Sequence, residues 1–498
     1  MEAEHKNLQE IIKFRLEKLE KIKNAGINPY AYNFDKKDSI ESLTQKGENG
    51  IGEKVMTAGR MVSFRKMGKA SFTHIQDDNG KIQIYLKNDL LPESIYDNIV
   101  RNLDLGDIIG CTGELFVTKM GELSIKADNI NILSKNIRPL PNMKEKEGES
   151  FNAFEDKELR YRHRQLDLIA NPSIKAVFKK RAKIISSIRK YLDDNNFIEV
   201  ETPVLQPVYG GASARPFTTF HNTLEQSLYL RIADELYLKR LIVGGFEKVY
   251  ELAKNFRNEG MDRNHNPEYT SLEFYQAYSD IYEMMEFTEK LFKQVAEKAG
   301  DNTLLFGGHT IDFKKPFLKN TMFNLLQEYS KEDLSEMDEN ELTDFAKSKS
   351  IDISDGMNYG QVLDKIFGEL VEPHLIEPIF VTDYPKAISP LAKEDRNGKV
   401  DIVERFELFI AGMEFANAFS ELNDPIEQRS RLESQAKLRD SGDEEAQIVD
   451  ENFLQAMEIG MPPTGGVGIG VDRLVMLLTQ QESIKDVILF PAMRHEDK

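Results

Sequence analysis

The chain contains 498 residues, of which 40% are hydrophobic and 30% charged, and it carries a formal net charge of −19. This length predicts about two to four domains of a soluble globular protein, and the acidic balance argues against indiscriminate nucleic-acid binding without excluding a local basic surface. One cysteine, Cys111, is too few for an intramolecular disulfide or a cysteine zinc cluster. The opening residues lack a signal-peptide core and no apolar run reaches membrane-spanning length, so we expect a cytoplasmic protein without membrane contact.

Residues 1–52 are predicted to form a helical N-terminal segment. Apolar residues recur at helical spacing among lysines and glutamates, and Gly26 with Pro29 ends the helix. A surface helix with charge pairs four residues apart is the simpler interpretation of this pattern. Ahead of a nucleic-acid-binding domain, a helix that contacts a phosphate backbone is the other interpretation.

Residues 53–140 are predicted to form a barrel of short strands separated by turn signals. The predicted strands are Val55–Ser63, Ser71–Gln76, Lys81–Lys87, Asp107–Val117 and Glu122–Leu133. Five strands in about eighty residues are typical of the OB fold, which frequently binds single-stranded nucleic acid.

The second and third predicted strands offer a binding face. A two-residue turn at Asn79-Gly80 would place Gln76 opposite Gln83. Strand alternation then puts four side chains on the outer face, namely Phe72, His74, Gln83 and Tyr85. The interior receives Ile75, Ile82, Ile84 and Leu86. An exposed aromatic ring beside an amide suits stacking on, and hydrogen bonding to, an unpaired base, and packing at the barrel edge is the alternative for Phe72.

A linker is predicted at residues 141–165, where a charged run follows a proline-rich stretch. Residues 166–498 then form the second predicted domain. It begins with an amphipathic helix over Ser173–Asn195, followed by a strand that Pro203 ends. Taken alone, this helix and strand would be ordinary packing elements.

Residues 249–278 predict a long antiparallel hairpin. Two apolar-rich runs flank a polar loop that contains Gly260 and Asn266-Pro267. Alternation gathers charged and polar side chains on one surface, namely Glu251, Asn255, Arg257, Glu273 and Tyr275. Such a set is costly to bury without a charged ligand. A solvated strand face is the alternative, but it does not explain the further charges in the loop.

Two C-terminal segments complete the predicted site. Carboxylates at Glu407, Glu414 and Glu421 recur every seven residues, but the apolar and small residues between them favour two strands around a turn over one charged helix face. We expect these carboxylates to point into a cleft. Gly466–Arg473 leads into an apolar helix, and its glycine spacing differs from that of a dinucleotide-binding loop.

These segments resemble the class II aminoacyl-tRNA synthetases. Phe256–Glu259 followed by His265–Tyr269 resembles motif 2, and Gly466–Arg473 resembles motif 3. The helix over Ser173–Asn195, the strand after it and Pro203 resemble motif 1. The resemblance covers nearly the whole chain and is strongest to the lysine-specific members of the lysine/aspartate/asparagine subgroup. It implies an α+β fold, with an N-terminal OB barrel that binds the anticodon and a catalytic domain whose antiparallel sheet is flanked by helices. It also implies a homodimer built through motif 1 and a family insertion at about 280–395.

The resemblance assigns roles to individual residues. It implies that the amino acid is bound by Gly211, Glu235, Arg257, Glu273, Tyr275, Asn417, Phe419 and Glu421. It implies that ATP is bound by Arg257, Glu259, His265, Asn266, Tyr269, Glu407 and Arg473, with Arg257 and Arg473 as the catalytic residues. Mg²⁺ is expected at Glu407 and Glu414. The anticodon is expected at Phe72 and Gln83, with phosphate contacts from Arg60, Arg65, Lys66 and Lys69.

The charge of the predicted pocket selects among amino acids. Glu235, Glu273 and Glu421 would oppose an aspartate side chain, whereas lysine brings two ammonium groups. We therefore expect activation of L-lysine by ATP and its transfer to tRNA(Lys). No general base is needed, because the attacking carboxylate is already ionised at pH 7.

Three other functions are alternatives for this sequence. An aspartyl- or asparaginyl-tRNA ligase would share the architecture but would need a cationic or amide-matched pocket. A relative that attaches lysine to a protein should lack the OB domain. An inactive nucleic-acid-binding scaffold should lack motif residues, yet the sequence contains Arg257, Glu259, Glu407, Glu414 and Arg473.

Overall fold

The computed structural model describes residues 2–67, 70–141, 143–146, 149–152, 156–300, 302–354, 356–440 and 447–495. The chain divides into two compact units. The first comprises Met1–Arg160 and Gln165–Ala170, and the second comprises Tyr161–Arg164 and Asn171–Lys498. None of the described helices is both long and apolar enough to cross a membrane.

The first unit is built on a closed five-stranded barrel. Its elements are α1 (Glu2–Asn24), α2 (Ile40–Lys46), β1 (Lys54–Met67), β2 (Ala70–Gln76), β3 (Lys81–Lys87), α3 (Glu93–Asn98), β4 (Ile108–Val117), β5 (Leu123–Ser134), β6 (Met143–Lys146) and β7 (Glu149–Asn152). The chain continues through α4 (Lys157–Arg162) and α5 (Arg164–Ala170), where the two units divide it. The strand order β1-β2-β3-β5-β4 closes the barrel, which confirms the predicted OB-fold barrel.

Alternating side chains fill the interior of the barrel. The four residues predicted to point inward are buried, namely Ile75, Ile82, Ile84 and Leu86. Ile22 of α1 and Ile40 of α2 belong to the same apolar cluster. Because the interior takes every second residue of β2 and β3, the residues between them remain on the outer face.

The predicted register between β2 and β3 is wrong by two residues. Gln76 pairs with Lys81, and His74 is the residue opposite Gln83. The connecting loop is longer than predicted because a carboxylate oxygen of Asp77 accepts hydrogen bonds from the backbone N–H groups of Asn79 and Gly80, both at 3.0 Å. An even shift leaves every side chain on its predicted face, so the outer face keeps its composition.

The second unit contains the remaining elements. They are α6 (Pro172–Asp194), β8 (Ile198–Glu199), β9 (Leu205–Gln206), β10 (Thr218–His221), β11 (Gln226–Leu230), α7 (Glu235–Val243), β12 (Lys248–Phe256), β13 (Glu268–Ala277), α8 (Ile281–Ala299), β14 (Thr303–Phe306), β15 (His309–Asp312), β16 (Leu318–Thr321), α9 (Met322–Ser330), α10 (Glu339–Ser348), α11 (Tyr359–Leu370), β17 (Ile379–Pro385), β18 (Ile402–Ile410), β19 (Met413–Ser420), α12 (Pro425–Asp440), α13 (Glu451–Ile459), β20 (Thr464–Gly470), α14 (Val471–Thr479) and α15 (Ile484–Val487).

An eight-stranded sheet organises this unit, in the order β16-β17-β18-β19-β20-β13-β12-β8. Its six inner strands are antiparallel to one another, whereas the short edge strands β16 and β8 pair in parallel with β17 and β12. The sheet is therefore mixed at its edges and antiparallel, as predicted, in its centre. The predicted hairpin at 249–278 is formed by β12 and β13, with Glu251 opposite Glu273.

Helices cover one face of the sheet and leave the other free for a site. Buried residues of α6, α8 and α14 form one apolar cluster with Leu272 and Phe274 of β13. Successive residues of a strand point to opposite faces, so Glu273 and Tyr275 lie on the other side. This arrangement places the polar side chains of the central strands around an open cavity.

Candidate active site

A cavity of about 640 Å³ lies against the open face of the sheet in the second unit. Every residue that the sequence assigned to the amino acid, ATP or magnesium lines this cavity. These residues are Gly211, Glu235, Arg257, Glu259, His265, Asn266, Tyr269, Glu273, Tyr275, Glu407, Glu414, Asn417, Phe419, Glu421 and Arg473. They come from distant parts of the chain, and the sheet brings them together.

Glycines of β20 form the floor of the cavity. Val467 and Ile469 point into the apolar cluster. The glycines that alternate with them, at 466, 468 and 470, therefore face the cavity without side chains. A Cβ atom at Gly466 would lie 2.1 Å from Oε1 of Glu421 and 2.4 Å from the Tyr275 ring, whereas one at Gly468 would meet nothing closer than 3.8 Å. The glycine at 466 therefore leaves room for two side chains of the site.

A β-bulge in β19 explains how carboxylates seven residues apart share the cavity. Leu408 pairs with Ala416 and Phe409 pairs with Glu414, so Phe415 is an extra residue in the strand. After the bulge, Asn417 points to the cavity while Ala416 joins the apolar cluster. Strict alternation would have put Glu414 and Asn417 on opposite faces, and the bulge brings both to the open face.

One group of side chains in the cavity is strongly acidic. Glu235, Glu273 and Glu421 are all buried, and the hydroxyl of Tyr275 donates to Oε2 of Glu273 at 2.9 Å. Burial raises the pKa of Glu421 to about 8, opposed by Lys239 and reinforced by the Glu235 carboxylate. Burial and the nearby acids Asp234 and Glu235 likewise raise the pKa of Glu273. This group is suited to a cationic ligand, which would favour the ionised carboxylates.

Lys239 is a part of this group that the sequence analysis did not identify. Its ammonium lies 2.5 Å from Oε1 of Glu235 and 2.5 Å from Oε2 of Glu421. The spacing of four residues between Glu235 and Lys239 on a largely apolar helix was the available signal. That spacing is usual for exposed ion pairs, so it did not mark a buried one.

Gly211 closes this part of the cavity with its backbone. It has a φ of +84°, and a Cβ atom there would lie 3.0 Å from Cβ of Glu235 and 3.1 Å from Cβ of Ala233. A side chain at this position would be strained in both conformation and space. The chain at Gly211 can therefore approach a ligand closely.

A second group of side chains is cationic. The guanidinium of Arg257 lies 5.4 Å from the ring centroid of Tyr269, and its buried Nε has no hydrogen-bond partner among the described residues. Burial lowers the pKa of Arg257, but Tyr269, Glu259 and Glu414 together raise it by more than burial lowers it. The side chain therefore remains charged. A buried, charged donor without a partner is suited to an anionic ligand.

Arg473 joins motif residues from two parts of the chain. It lies in the first turn of α14, donates to the backbone oxygen of Glu414 at 2.7 Å, and is 3.2 Å from Nε2 of His265. The other ring nitrogen of His265 lies 2.8 Å from Asp262. The His265 side chain is 51% exposed, so Arg473 and His265 face an accessible part of the cavity.

Glu407 and Glu414 differ in their surroundings. Glu407 is tied by Arg405 at 2.5 Å and by the hydroxyl of Tyr384 at 2.8 Å, whereas Glu414 is 40% exposed. Burial raises the pKa of Glu407 to about 7, with Arg405 lowering it and Glu414 raising it. Arg405 also donates to Oδ1 of Asn417 at 3.1 Å, so it links the two groups of side chains.

Asn266 uses its side chain within the protein. Its Nδ2 donates to the backbone oxygen of Glu268 at 2.6 Å, and its Oδ1 accepts from the backbone N–H of Ala492 at 3.2 Å. This amide shapes the motif 2 loop, while Glu259 is exposed beside it. Of the two, Glu259 has the more accessible side chain for a ligand.

The outer face of the barrel holds the predicted anticodon readers. The rings of Phe72 and Tyr85 lie 5.0 Å apart, and Gln83 is opposite His74. Glu122, which the sequence analysis did not identify, accepts from Nε2 of Gln83 at 2.6 Å and lies 2.7 Å from Nε2 of His74. Glu122 therefore fixes the orientation of the Gln83 amide.

The predicted phosphate-contacting residues have different environments. Arg65 and Lys66 are exposed near the end of β1. Arg60 is partly buried and donates to the backbone oxygen of Gly106 at 2.8 Å, which leaves it less available. Lys69 lies outside the described residues.

Comparison with known proteins agrees with this geometry. The family described as tRNA synthetases class II (D, K and N) matches residues 156–494. The family described as OB-fold nucleic acid binding domain matches residues 55–133. The two matches correspond to the part of the chain that contains the cavity and to the closed barrel.

Several relatives match along nearly their whole length. A lysine–tRNA ligase of Thermoanaerobacter pseudethanolicus is 50% identical over 490 residues, covering 98% of this chain and 96% of the relative. Proteins of the same name from Carboxydothermus hydrogenoformans and Christiangramia forsetii are each 48% identical, covering 99% of this chain and 100% and 87% of the relative, respectively. The chain therefore belongs to the class II tRNA synthetases of the D, K and N group.

Proposed function

We propose that this protein uses ATP to activate L-lysine as lysyl-adenylate and transfers the lysyl group to the 3′ end of tRNA(Lys). The observation that carries this proposal is the grouping of Glu235, Glu273 and Glu421 in the cavity that also contains Arg257 and Arg473. The curated relatives that match the whole chain bear the name lysine–tRNA ligase.

The acidic group selects the amino acid. Lysine places one ammonium beside Gly211 and Glu235 and the other beside Glu421 and Tyr275. An aspartate side chain would face buried carboxylates without a compensating cation, which costs several kcal/mol in a desolvated site. The aspartyl and asparaginyl alternatives therefore fit this cavity less well.

The cationic group supports activation. The lysine carboxylate attacks the α-phosphorus of ATP in line, the new bond is a mixed anhydride, and pyrophosphate leaves with the electron pair. We infer that Arg257 binds the α-phosphate and the amino-acid carboxylate, and that Arg473 with His265 binds the distal phosphates. Glu259 and Tyr269 hold the adenine, with Asn266 shaping the loop around it. Orientation and charge neutralisation carry this step.

The two carboxylates Glu407 and Glu414 fit a magnesium ion. Burial and the neighbouring Glu414 both raise the pKa of Glu407. Within the described residues, no group of three or more His, Cys, Asp or Glu side chains forms a complete metal site. Two carboxylates completed by substrate phosphates are a usual environment for Mg²⁺, which neutralises phosphate charge when bound.

Transfer requires recognition of the tRNA. A ribose hydroxyl at the 3′ end attacks the lysyl carbonyl, and AMP leaves. We infer that Phe72 stacks on an anticodon base and that Gln83, oriented by Glu122, hydrogen-bonds to one. A relative that lysylates proteins has no need of this face.

We further infer a cytoplasmic homodimer assembled through the segment that resembles motif 1. This segment exposes the apolar side chain of Ile198, and Leu205 just after it is also exposed. A partner subunit would cover both. Sedimentation equilibrium should give twice the chain mass of 57.1 kDa. A monomer at micromolar concentration would contradict the dimer.

The decisive experiment is ATP–pyrophosphate exchange with each of the twenty amino acids. We expect exchange with L-lysine, and exchange driven by aspartate or asparagine would replace the proposal by its alternatives. Exchange with none of the twenty would favour the inactive scaffold.

A further inference from the structure

The side chain of Lys239 is completely enclosed, with 0% exposure, beneath the acidic group of the cavity. It extends from α7 to Glu235 on the same helix and to Glu421, which follows β19. Its ammonium thus joins the two carboxylates to which the proposed function assigns the two ammonium groups of lysine.

A buried cation in this position is costly to desolvate, and it also opposes the binding of a cationic substrate. Enclosing an ammonium is unfavourable unless paired carboxylates surround it, and the two ion pairs meet that condition. A cation near the pocket also repels a cationic substrate. Electrostatic repulsion alone therefore predicts that removing Lys239 improves the binding of lysine.

The oxygens that Lys239 contacts differ from those that face the pocket. Lys239 contacts Oε1 of Glu235 and Oε2 of Glu421. Oε2 of Glu235 lies 3.7 Å from the place that a Cβ would take at Gly211, and Oε1 of Glu421 lies 2.1 Å from the corresponding place at Gly466. Both oxygens of the Glu421 carboxylate are buried without a hydrogen-bond partner among the described residues, and Oε2 is the one with the ion pair to Lys239. Each carboxylate is thus held by one oxygen and presents the other.

We propose that Lys239 is a positioning residue that orients Glu235 and Glu421 for the two ammonium groups of lysine, an inference that rests on the proposed lysine specificity. Lys239 holds the far oxygen of each carboxylate, so neither side chain has to be reoriented when lysine enters. Functional groups are positioned in this way by a supporting layer of buried contacts. The benefit of this order outweighs the repulsion between Lys239 and the substrate.

The test is ATP–pyrophosphate exchange by full-length Lys239→Met. We expect the KM for lysine to rise by about tenfold or more, because two carboxylates lose the cation that orients them. The KM for ATP should change by less than about threefold, since Lys239 contacts only the amino-acid side of the cavity. Lys239→Gln keeps a hydrogen-bond donor and serves as the second variant where Lys239→Met does not fold, with a change in the same direction.

A matched control is available on α8. Lys293 forms an ion pair with Glu289, also four residues earlier on a helix and at 2.6 Å, but partly exposed. Lys293→Met should leave both KM values unchanged. An unchanged or lower KM for lysine in the Lys239 variants would overturn the positioning role. Wild-type protein that fails to activate lysine would instead overturn the proposed function, so the two failures are distinguishable.

Discussion

Gly466 lies directly opposite Tyr275 on the neighbouring strand, and the Tyr275 ring covers the space where a side chain at 466 would stand. The same space borders Oε1 of Glu421. The absence of a side chain at position 466 is therefore a condition for the positions of both residues. This relationship connects a glycine in the segment that resembles motif 3 to the proposed amino-acid pocket.

Replacement of Gly466 by alanine should damage the lysine pocket. The added methyl would force Tyr275 and Glu421 to move, at a cost of about 1–3 kcal/mol in the free energy of unfolding, and the KM for lysine should rise. Thermal denaturation and exchange kinetics measure the two effects. Gly468→Ala is the control for stability, because a Cβ there has no neighbour closer than 3.8 Å. Equal stability of the two variants would show that the space at 466 is not needed.

Glu421→Gln should lower kcat/KM for lysine-dependent exchange by about tenfold or more, because a buried carboxylate that can pair with an ammonium becomes neutral. Exchange kinetics with varied lysine provide the measurement. Glu297→Gln, at an exposed position of α8, should have no effect. Unchanged kinetics in Glu421→Gln would show that Glu421 does not bind the lysine substrate.

The efficiency of lysine activation should depend on pH between about 6 and 8. Burial and Glu235 hold the pKa of Glu421 at about 8 despite Lys239, so at lower pH the free enzyme must lose a proton when lysine binds. We expect kcat/KM for lysine to rise with pH up to about 8 and then level off. A flat profile would contradict this assignment, and Glu421→Gln should abolish the rise that this group causes.

The same shift makes a prediction for stability. The folded-state pKa of Glu421 lies above its usual value of 4.5, so the folded protein binds more protons than the unfolded chain between these values. This carboxyl therefore lowers the free energy of unfolding as the pH rises from about 4.5 to 8. The increase in Tm on addition of lysine should be larger at pH 8 than at pH 6. A larger increase in Tm at pH 6 than at pH 8 would contradict this prediction.

Glu414→Gln should raise the magnesium concentration needed for half-maximal exchange by about tenfold, because one of two proposed ligands becomes a weaker one. Its Tm should change little, since Glu414 is partly exposed. Glu407→Gln should alter both quantities, because Arg405 and Tyr384 would lose a buried anionic partner. Unaltered magnesium dependence in both variants would exclude these carboxylates as ligands.

Phe72→Ala should spare adenylate formation and reduce the charging of tRNA(Lys), because loss of one base–aromatic stack costs about 1–3 kcal/mol. Exchange and aminoacylation assays separate the two steps. Tyr32→Ala is a suitable control, as Tyr32 is an aromatic residue of the same unit whose side chain is fully exposed. Equal loss in both assays would contradict a role restricted to tRNA binding.

Features with a regular period were predictable from the sequence. Alternation in β12 and β13 was sufficient to place Glu273 and Tyr275 on one face, and the barrel strands followed from the same period. The β2–β3 register was not predictable from turn length alone, because the hydrogen bonds of the Asp77 side chain lengthen the loop. Local side-chain chemistry decided that connection.

Residues that orient the ligand-binding side chains, without being predicted to contact the ligand themselves, could not be predicted from the sequence. Glu122 acts through partners that are distant in sequence, and Lys239 joins Glu235 of its own helix to the distant Glu421. Lysine and glutamate are usually exposed, and only the tertiary structure shows that Lys239 is enclosed. The family resemblance indicates residues at the ligand, whereas the layer that orients them depends on the packing of this fold.

Because Phe415 is an extra residue in β19, the number of residues in this strand determines which side chains face the cavity. Deleting that single residue would restore simple alternation and rotate Glu414 toward the apolar helices, while Asn417 and Phe419 would keep their direction. The residues proposed to bind the nucleotide and those proposed to bind the amino acid would then no longer lie on the same face of β19. Insertions and deletions should thus be tolerated far less at this point than in the loops of the same unit, even though no catalytic atom belongs to Phe415.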